Sequence, residues 1–394
     1  MDPANAAATY LTLTFEQMGV PCKVLNTPEK GKHVLATADI PEQTDLFEET
    51  PIVSWPAQGY LALDMPFCSH CLRQQSRKNE MDEKSDENLW HKCEGCGSMF
   101  CSESCESTSK IAHRILCGNL QKFREDNDTN SLNTDNRNSN KPITKESLAR
   151  CVAWIIARIA SSIKHQGFSG KMLEEDHKGQ SETISRQIFQ LATAPFNRLI
   201  DTPKGTVFSD VDVVAWYSEL DCLLREPCRT TLLEATAEPQ CEKDDWAREI
   251  VDALLRHDTL ETLLGQMTLN SQAVNGFILS RPTEEDSSAS PLPIEWVLKG
   301  GGMYTLQSAF NHSCLPNVVV TAADGTHDIT LRTLRPIHNG EELTITYIPL
   351  ENKREKRHEL LKGYFFTCCC QRCEDEKGSE EETKKSPHSI TKQN

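Results

Sequence analysis

The sequence predicts an α+β protein, and three observations lead there. Short β-rich segments bounded by proline and polar turn residues occupy residues 20–66 and return after Met267. A stretch with apolar residues at three- and four-residue spacing runs from Thr144 to about Leu264 between them. Cysteines at metal-ligand spacing fill residues 68–117. A chain of 394 residues has room for several modules with a substantial core.

In chain order, the first residues (MDPANAAATYLTLTFEQ) carry no basic segment and no apolar signal-peptide core. Strands are expected at Val34-Leu35-Ala36, Asp45-Leu46-Phe47 and Ile52-Val53-Ser54-Trp55. The cysteine-rich segment follows, with a polar surface loop between Cys71 and Cys93. Residues 123–140 are rich in Asn and Asp and read as a flexible loop. Helices are expected from Ser147 to Ile163, from Asp210 to Leu224 and from Asp244 to Leu264. Thr144 and Ser147 only partly match a capping box, since Glu146 falls one place early. The segments Asn317–Thr321, His327–Arg332 and Leu343–Tyr347 read as strands, with turns at Asp324-Gly325 and Asn339-Gly340. Glu351 to Lys362 reads as a helix whose KREKR run is a solvated face, with a nuclear signal as the alternative. The tail after Cys373 is low in apolar residues and reads as disordered.

The longest apolar stretch, Cys151 to Ile163, contains Arg158 and is too short to cross a bilayer. The expectation is a protein of the cytoplasm, the nucleus or both, with no membrane partner. Its net charge is −16, which argues against direct nucleic-acid binding and a DNA-binding zinc protein. The same charge suits a basic protein partner.

Seventeen cysteines in such a chain read as metal ligands rather than disulfides. Cys68-x2-Cys71, Cys93-x2-Cys96, Cys101-x3-Cys105 and His113-x3-Cys117 supply enough ligands for two tetrahedral Zn²⁺ sites. The last pair falls on one face of a helical turn. Nearby His91 fits no pair and reads as a solvated histidine. A second group, Cys368, Cys370 and Cys373, supplies three ligands, and Cys314 is the candidate for the fourth. Cys369 breaks the C-x-C spacing and is surplus. It joins Cys22, Cys151, Cys222, Cys228 and Cys241 as ordinary thiols.

Three late motifs then converge: Asn311-His312-Ser313-Cys314-Leu315-Pro316-Asn317, Gly340-Glu341-Glu342-Leu343-Thr344-Ile345-Thr346-Tyr347, and the cysteine triplet. Together they resemble a SET methyltransferase core with its post-SET zinc, and the first cysteine group resembles a MYND zinc finger. Over roughly residues 20–375 the chain is similar to the SET and MYND domain-containing protein-lysine methyltransferases. It is most similar to the family's short fifth member, which lacks the C-terminal helical repeat domain. The run Gly302 to Ser308 supports that placement.

The resemblance implies SET-domain β-sheets with a pseudoknot, in which the segment 311–317 is threaded through a loop, a topology rare in folds generally. It implies a split SET domain beginning at 20–67, a MYND finger at 68–117, a flexible loop and helical insertion at 118–265, the core SET at 266–350, a post-SET segment at 351–375 and a disordered tail at 376–394. In the finger's interleaved pattern Cys68, Cys71, Cys101 and Cys105 hold one Zn²⁺, and Cys93, Cys96, His113 and Cys117 the other.

The activity implied is S-adenosylmethionine-dependent methylation of a lysine on a histone or a basic non-histone protein, for example a ribosomal one. A Pro-rich peptide at the finger is implied as a further partner. Methyl transfer needs a neutral amine, and holding lysine neutral near pH 7.4 in water costs about 4 kcal/mol. A narrow apolar channel lowers that cost.

In the family's pattern Tyr347 faces the methyl and the amine and is the catalytic residue. Asn311, His312, Asn270, Ser308, Phe366 and Tyr347 itself contact the cofactor. Lys30-Gly31-Lys32-His33 matches the opening glycine motif, which places Lys30, Lys32 and His33 at the cofactor, with Lys32 pairing with its carboxylate. The family has glycine where His33 stands, and an imidazole adds bulk where backbone approaches the cofactor. That departure carries the alternative reading, a MYND-type interaction scaffold with an impaired SET domain.

Overall fold

The computed structural model describes residues 3–61, 66–75, 90–124, 143–174, 184–206, 213–237, 245–279, 294–322 and 325–385. The expected loops fall mainly at 76–89 and 125–142, outside the described residues, as do Cys241, Asp324 and the last residues of the tail.

In chain order the elements are α1 (Pro3–Gln17), β1 (Cys22–Thr27), β2 (Gly31–Ala36), β3 (Asp45–Glu49), β4 (Val53–Pro56), α2 (Gln58–Leu61), β5 (His91–Lys92), β6 (Met99–Phe100), α3 (Glu103–Cys117), α4 (Leu120–Arg124), α5 (Lys145–Gln166), α6 (Gly170–Glu174), α7 (Ile184–Asn197), α8 (Val213–Glu234), α9 (Asp245–Leu255), α10 (His257–Asn270), β7 (Ser271–Leu279), β8 (Ile294–Met303), β9 (Asn311–His312), β10 (Val318–Ala322), β11 (Ile329–Thr333), β12 (Glu342–Ile345), α11 (Arg354–Leu361) and α12 (Gln371–Lys385). The chain divides into two compact units, one of residues 1–49, 306–321 and 329–394, the other of 50–305 and 322–328.

The first unit holds a sheet in the order β1-β2-β12-β9. β1 and β2 form a hairpin whose turn is closed by Gly31 at φ +62°, a value that favours glycine. β12 lies antiparallel to β2, with Leu343 opposite Val34, and parallel to β9, with Thr344 opposite Asn311 and Ile345 opposite His312. Parallel neighbours need a long crossover, and the chain supplies it through β10 and β11. Those strands pair with β3 in a second sheet, ordered β10-β11-β3.

Helix α1 covers the hairpin, so the first unit extends to residues before the expected start at 20. Leu11 and Phe15 are fully buried. Phe15 packs against Phe47 at 5.5 Å between ring centroids and edge-on to Phe310 at 6.4 Å. The Thr12 hydroxyl accepts from the Val24 amide at 2.9 Å, which fixes the helix on β1.

In the second unit, α5 is the buried axis, with Ile155, Ile156, Ile159 and Ile163 fully enclosed by a core to which α3, α7, α8, α9 and α10 contribute. Its start is better capped than the sequence implied. Thr144 and Ser147 form a reciprocal capping box. Glu146 is buried instead, bonded to Arg124 at 2.7 Å and to Arg150 at 2.9 Å. The single helix expected from Asp244 to Leu264 is two, α9 and α10, because Arg256 takes an extended ψ of 144°. The helix expected over Asp210–Leu224 continues to Glu234 despite Pro227. A sheet ordered β4-β8-β7 completes the unit, and at Gly301 a Cβ would stand 2.8 Å from the Trp55 indole.

Two further expectations are corrected. Tyr347 lies beyond the end of β12 at Ile345 rather than in the strand. The tail expected to be disordered continues as α12 to Lys385, with Glu376 receiving Arg357 at 2.8 Å and Arg372 at 2.9 Å. Ion pairs of this kind leave no trace in an apolar pattern.

His33 sits inside β2 opposite Leu25, only 5% exposed, and is not among the residues with positive φ. Its backbone is therefore ordinary extended strand, and Gly31 supplies the left-handed position. His33→Gly is expected to lower the thermal midpoint, through a stability loss of about 1 kcal/mol or more from strand entropy and lost packing. Paired melting and cofactor-binding measurements check this. Tighter cofactor binding without a lower midpoint would contradict it.

Candidate active site and cysteine clusters

β12 and β9 place the late motifs beside one another in the first unit. Tyr347 donates its phenol proton to the Phe310 carbonyl at 2.6 Å. Its ring lies 4.9 Å from Tyr364, 5.4 Å from His312 and 6.4 Å from Phe366, the last edge-on. Burial pushes the Tyr347 phenol well above its usual pKa, so it stays protonated at neutral pH. Phe366 is 38% exposed, and the preceding Phe365 takes a left-handed φ of 62°, which turns this aromatic pair at the end of the α11 segment.

Asn311 donates its side-chain amide to the Lys30 carbonyl at 3.2 Å and to Glu342 at 3.3 Å. Glu342 also holds the Lys30 ammonium at 2.6 Å. Sequence reasoning did not single out Glu342. Its place in β12, beside both Asn311 and the hairpin, is a tertiary fact. Lys32 is buried, and burial lowers its pKa to about 8. His33 keeps its Nδ1 3.0 Å from the Gly31 carbonyl. His312 is 8% exposed, and burial, with the Arg357 charge, lowers its pKa to about 4, so its ring is neutral at physiological pH. Ser308 is half-buried in the short turn Gln307–Ala309, which Glu49 caps by accepting from the Leu306 and Gln307 amides at 2.8 and 2.9 Å.

Asn270 belongs to the second unit. It ends α10, and its amide group already accepts from the Ile200 amide at 3.2 Å and donates to the Ile200 and Gln266 carbonyls, each at 2.7 Å. Both N–H donors are used there.

The expected metal ligands gather in three groups, Cys68-Cys71-Cys101-Cys105, Cys93-Cys96-His113-Cys117 and Cys314-Cys368-Cys370-Cys373, the donor atoms of each within 4.8 Å of one another. Four sulfurs around one Zn²⁺ at about 2.3 Å stand about 3.8 Å apart. The sulfurs here lie 3.5 Å apart for Cys71 and Cys101, 3.6 Å for Cys93 and Cys117, and 3.6 Å for Cys314 and Cys373. The donor sets and spacings therefore fit tetrahedral zinc. Helix α3 explains the first two groups, since it carries Cys105, His113 and Cys117, each a turn or two apart. Exposed Cys369 stands outside the third group. His91 is exposed and pairs with Glu106 at 3.1 Å.

The third group has a buried neighbour from the run whose sequence reads as a solvated face. Arg357, in the KREKR run, is 0% exposed. Its Nε reaches the Cys314 sulfur at 3.2 Å and its Nη2 the Cys373 sulfur at 3.6 Å, while Nη1 donates to the Asn352 carbonyl. Four thiolates around one Zn²⁺ carry a net double negative charge, and a guanidinium against two of the sulfurs offsets part of it.

The family model for the SET domain matches residues 31–348. The chain belongs to the SET domain family. A SET and MYND domain-containing protein of Dictyostelium discoideum is 27% identical over 360 residues, and this chain spans 90% of itself and 60% of that protein's length. Proteins named protein-lysine N-trimethyltransferase SMYD5 from Gallus gallus and Homo sapiens are each 24% identical over 87% of this chain, covering 83% and 84% of their own lengths. A crystal structure of the SET domain of LSMT bound to lysine and AdoHcy aligns with 92% of this chain and 57% of that chain at 10% identity, with a TM-score of 0.28, which carries no structural argument.

Elemental analysis of this SET-family chain is expected to give three Zn²⁺ per molecule, one for each group. Cys370→Ser is expected to lower the content by one, and Cys369→Ser to leave it unchanged. A Cys369→Ser variant that loses zinc would exchange the assigned ligands.

Proposed function

We propose that this chain is an S-adenosylmethionine-dependent protein-lysine N-methyltransferase, with Tyr347 as its catalytic residue. The observation that carries the reading is the setting of Tyr347. Its protonated phenol is anchored on the Phe310 carbonyl, inside an aromatic cluster with Tyr364, Phe366 and His312. The SET family membership and the names of the relatives support it.

S-adenosylmethionine, when bound, supplies an electrophilic methyl group. The chain's own residues do the rest. The aromatic cluster gives a substrate lysine a poorly solvated channel, which disfavours the ammonium and favours the neutral amine that reacts. The Tyr347 hydroxyl orients that amine, so the work is alignment more than covalent chemistry. Asn311, the His312 backbone, Phe366, Ser308 and the segment from Lys30 to His33 hold the cofactor. Lys32 is the residue suited to its carboxylate, because a buried ammonium gains most from an incoming anion. At Asn270, in the second unit, contact with a cofactor would compete with three hydrogen bonds.

The two cysteine groups of residues 68–117 are a MYND-type finger, and its proposed partner is a Pro-rich peptide. The third group is a post-SET zinc site, and the β9–β12 pairing belongs to the SET pseudoknot. The net charge of −16 supports a basic protein substrate, histone or non-histone. His33 takes ordinary strand geometry, so its backbone is unstrained, and the alternative of an impaired scaffold rests on the bulk of the imidazole alone.

Incubation with labelled S-adenosylmethionine and a whole-cell lysate tests the reading, with the labelled protein identified. No transfer to any lysine would reject it. Tyr347→Phe is expected to keep the fold and cofactor affinity and to lower turnover by about 10²-fold, the scale of one positioned polar group. Unchanged turnover would remove Tyr347 from the mechanism.

Lys32 gives a pH test. Its folded pKa of about 8 lies below the unfolded value of about 10.4, so its burial cost is full below pH 8. Stability rises with pH between those values, where the unfolded chain binds the extra proton. An anionic cofactor group beside Lys32 raises its pKa, so binding at pH 8 should take up roughly half a proton. Calorimetry in buffers of different ionisation heat measures this, and the uptake should vanish in Lys32→Met.

A further inference from the structure

His312 makes two hydrogen bonds that point in opposite directions. Its Nδ1 lies 3.0 Å from the backbone nitrogen of Tyr347. Its Nε2 lies 3.4 Å from the sulfur of Cys314. A peptide N–H can only donate, so Nδ1 is the acceptor and carries no proton. The neutral ring then has its proton on Nε2, where it donates to sulfur. At 8% exposure the ring leaves water little chance to compete for either bond.

The two ends of this bridge differ in stiffness. Cys314 is held on several sides, by Cys368 at 3.9 Å, by Cys373 at 3.6 Å and by Arg357 at 3.2 Å. Tyr347 stands past the last ladder residue of β12, so no strand partner fixes its amide. What fixes that amide is the imidazole. The ring also packs on the Tyr347 ring at 5.4 Å and on Phe366 at 6.0 Å.

We propose that His312 is a positioning residue whose imidazole couples the Cys314-Cys368-Cys370-Cys373 metal site to Tyr347, so that the placement of the Cys314 sulfur sets the placement of the Tyr347 backbone. This rests on Tyr347 being the catalytic residue, and it gives the His312 side chain a task separate from any backbone contact with the cofactor. The metal site then tunes turnover through one ring. Sulfur displaced by a larger ion shifts the ring, and the ring shifts the tyrosine.

The test uses the full-length metal-loaded chain labelled with ¹⁵N-tyrosine. It holds six tyrosines, so the spectrum is sparse, and Tyr347→Phe assigns the signal. Replacing Zn²⁺ by Cd²⁺ keeps the charge and lengthens the bonds to sulfur. The Tyr347 amide signal of the wild type is expected to move on exchange. His312→Asn can reach the Tyr347 amide but not Cys314, and His312→Gln can reach Cys314 but not the amide. Both variants are expected to fold, to lose the metal-dependent shift, and to lower kcat about tenfold with KM for a protein substrate changed less than about twofold.

A wild-type signal that ignores the exchange overturns the proposal without any variant. A shift of equal size in both variants overturns it as well. The signal needs no turnover. A chain without methyl transfer whose Tyr347 signal follows the metal would therefore reject the catalytic reading and leave the coupling standing.

Discussion

Two residue pairs of parallel strand, Asn311 with Thr344 and His312 with Ile345, are the contact on which the chemistry of the first unit depends. They join segments more than thirty positions apart. They bring the Asn311 amide to Glu342 and Lys30, and the His312 ring to Tyr347. So short a pairing contributes little by itself. Neighbouring hydrogen bonds hold it in place, with Asn317 accepting from the Thr344 amide at 2.7 Å and donating to the Glu342 carbonyl at 2.8 Å. The Ser313 amide extends the pairing by donating to the Ile345 carbonyl.

In the cysteine-rich segments an ion held by the clustered ligands would do structural work that apolar burial cannot do alone. Around residues 91–100 regular structure is reduced to the paired strands β5 and β6, two residues each. Four ligands on one ion stabilise such a segment by far more than its few buried side chains, because the unfolded chain offers no preformed site. An ion in the third group would do the same for the segment that leads into α12. It would tie Cys314, beside β9, to Cys368, Cys370 and Cys373 before and at the start of α12, and the aromatic pair Phe365-Phe366 sits immediately before it.

Both units bury charge deliberately. Glu146 meets Arg124 and Arg150 in the second unit, and Arg357 meets two sulfurs, Glu376 and a carbonyl in the first. Each buried charge would be costly if its partners were removed. Their value lies in fixing one arrangement. Arg357 sets α11 against the cysteine group and, through Glu376, holds the polar helix α12, which Arg372 also ties to the Cys314 and Leu350 carbonyls. Helix α12 has almost no apolar face of its own to dock.

The sequence by itself marked twelve residues as candidate metal ligands, and its resemblance to the SET family implied that Tyr347 and the 311–317 motif share a site. Ligand spacing is a local property: a C-x2-C turn or a helical i, i+4 pair presents its donors whatever the rest of the chain does. Strands β2, β3, β4, β10 and β11 were legible for the same reason, from β-rich runs between turn residues. Only the tertiary structure decided the roles of Arg357, Glu342, Glu146 and Asn270, and the helical state of 374–385. Those roles depend on which distant group arrives beside a charged or amide side chain. A polar residue looks the same in sequence whether it meets water or a buried partner, and the difference is set by the return of the chain.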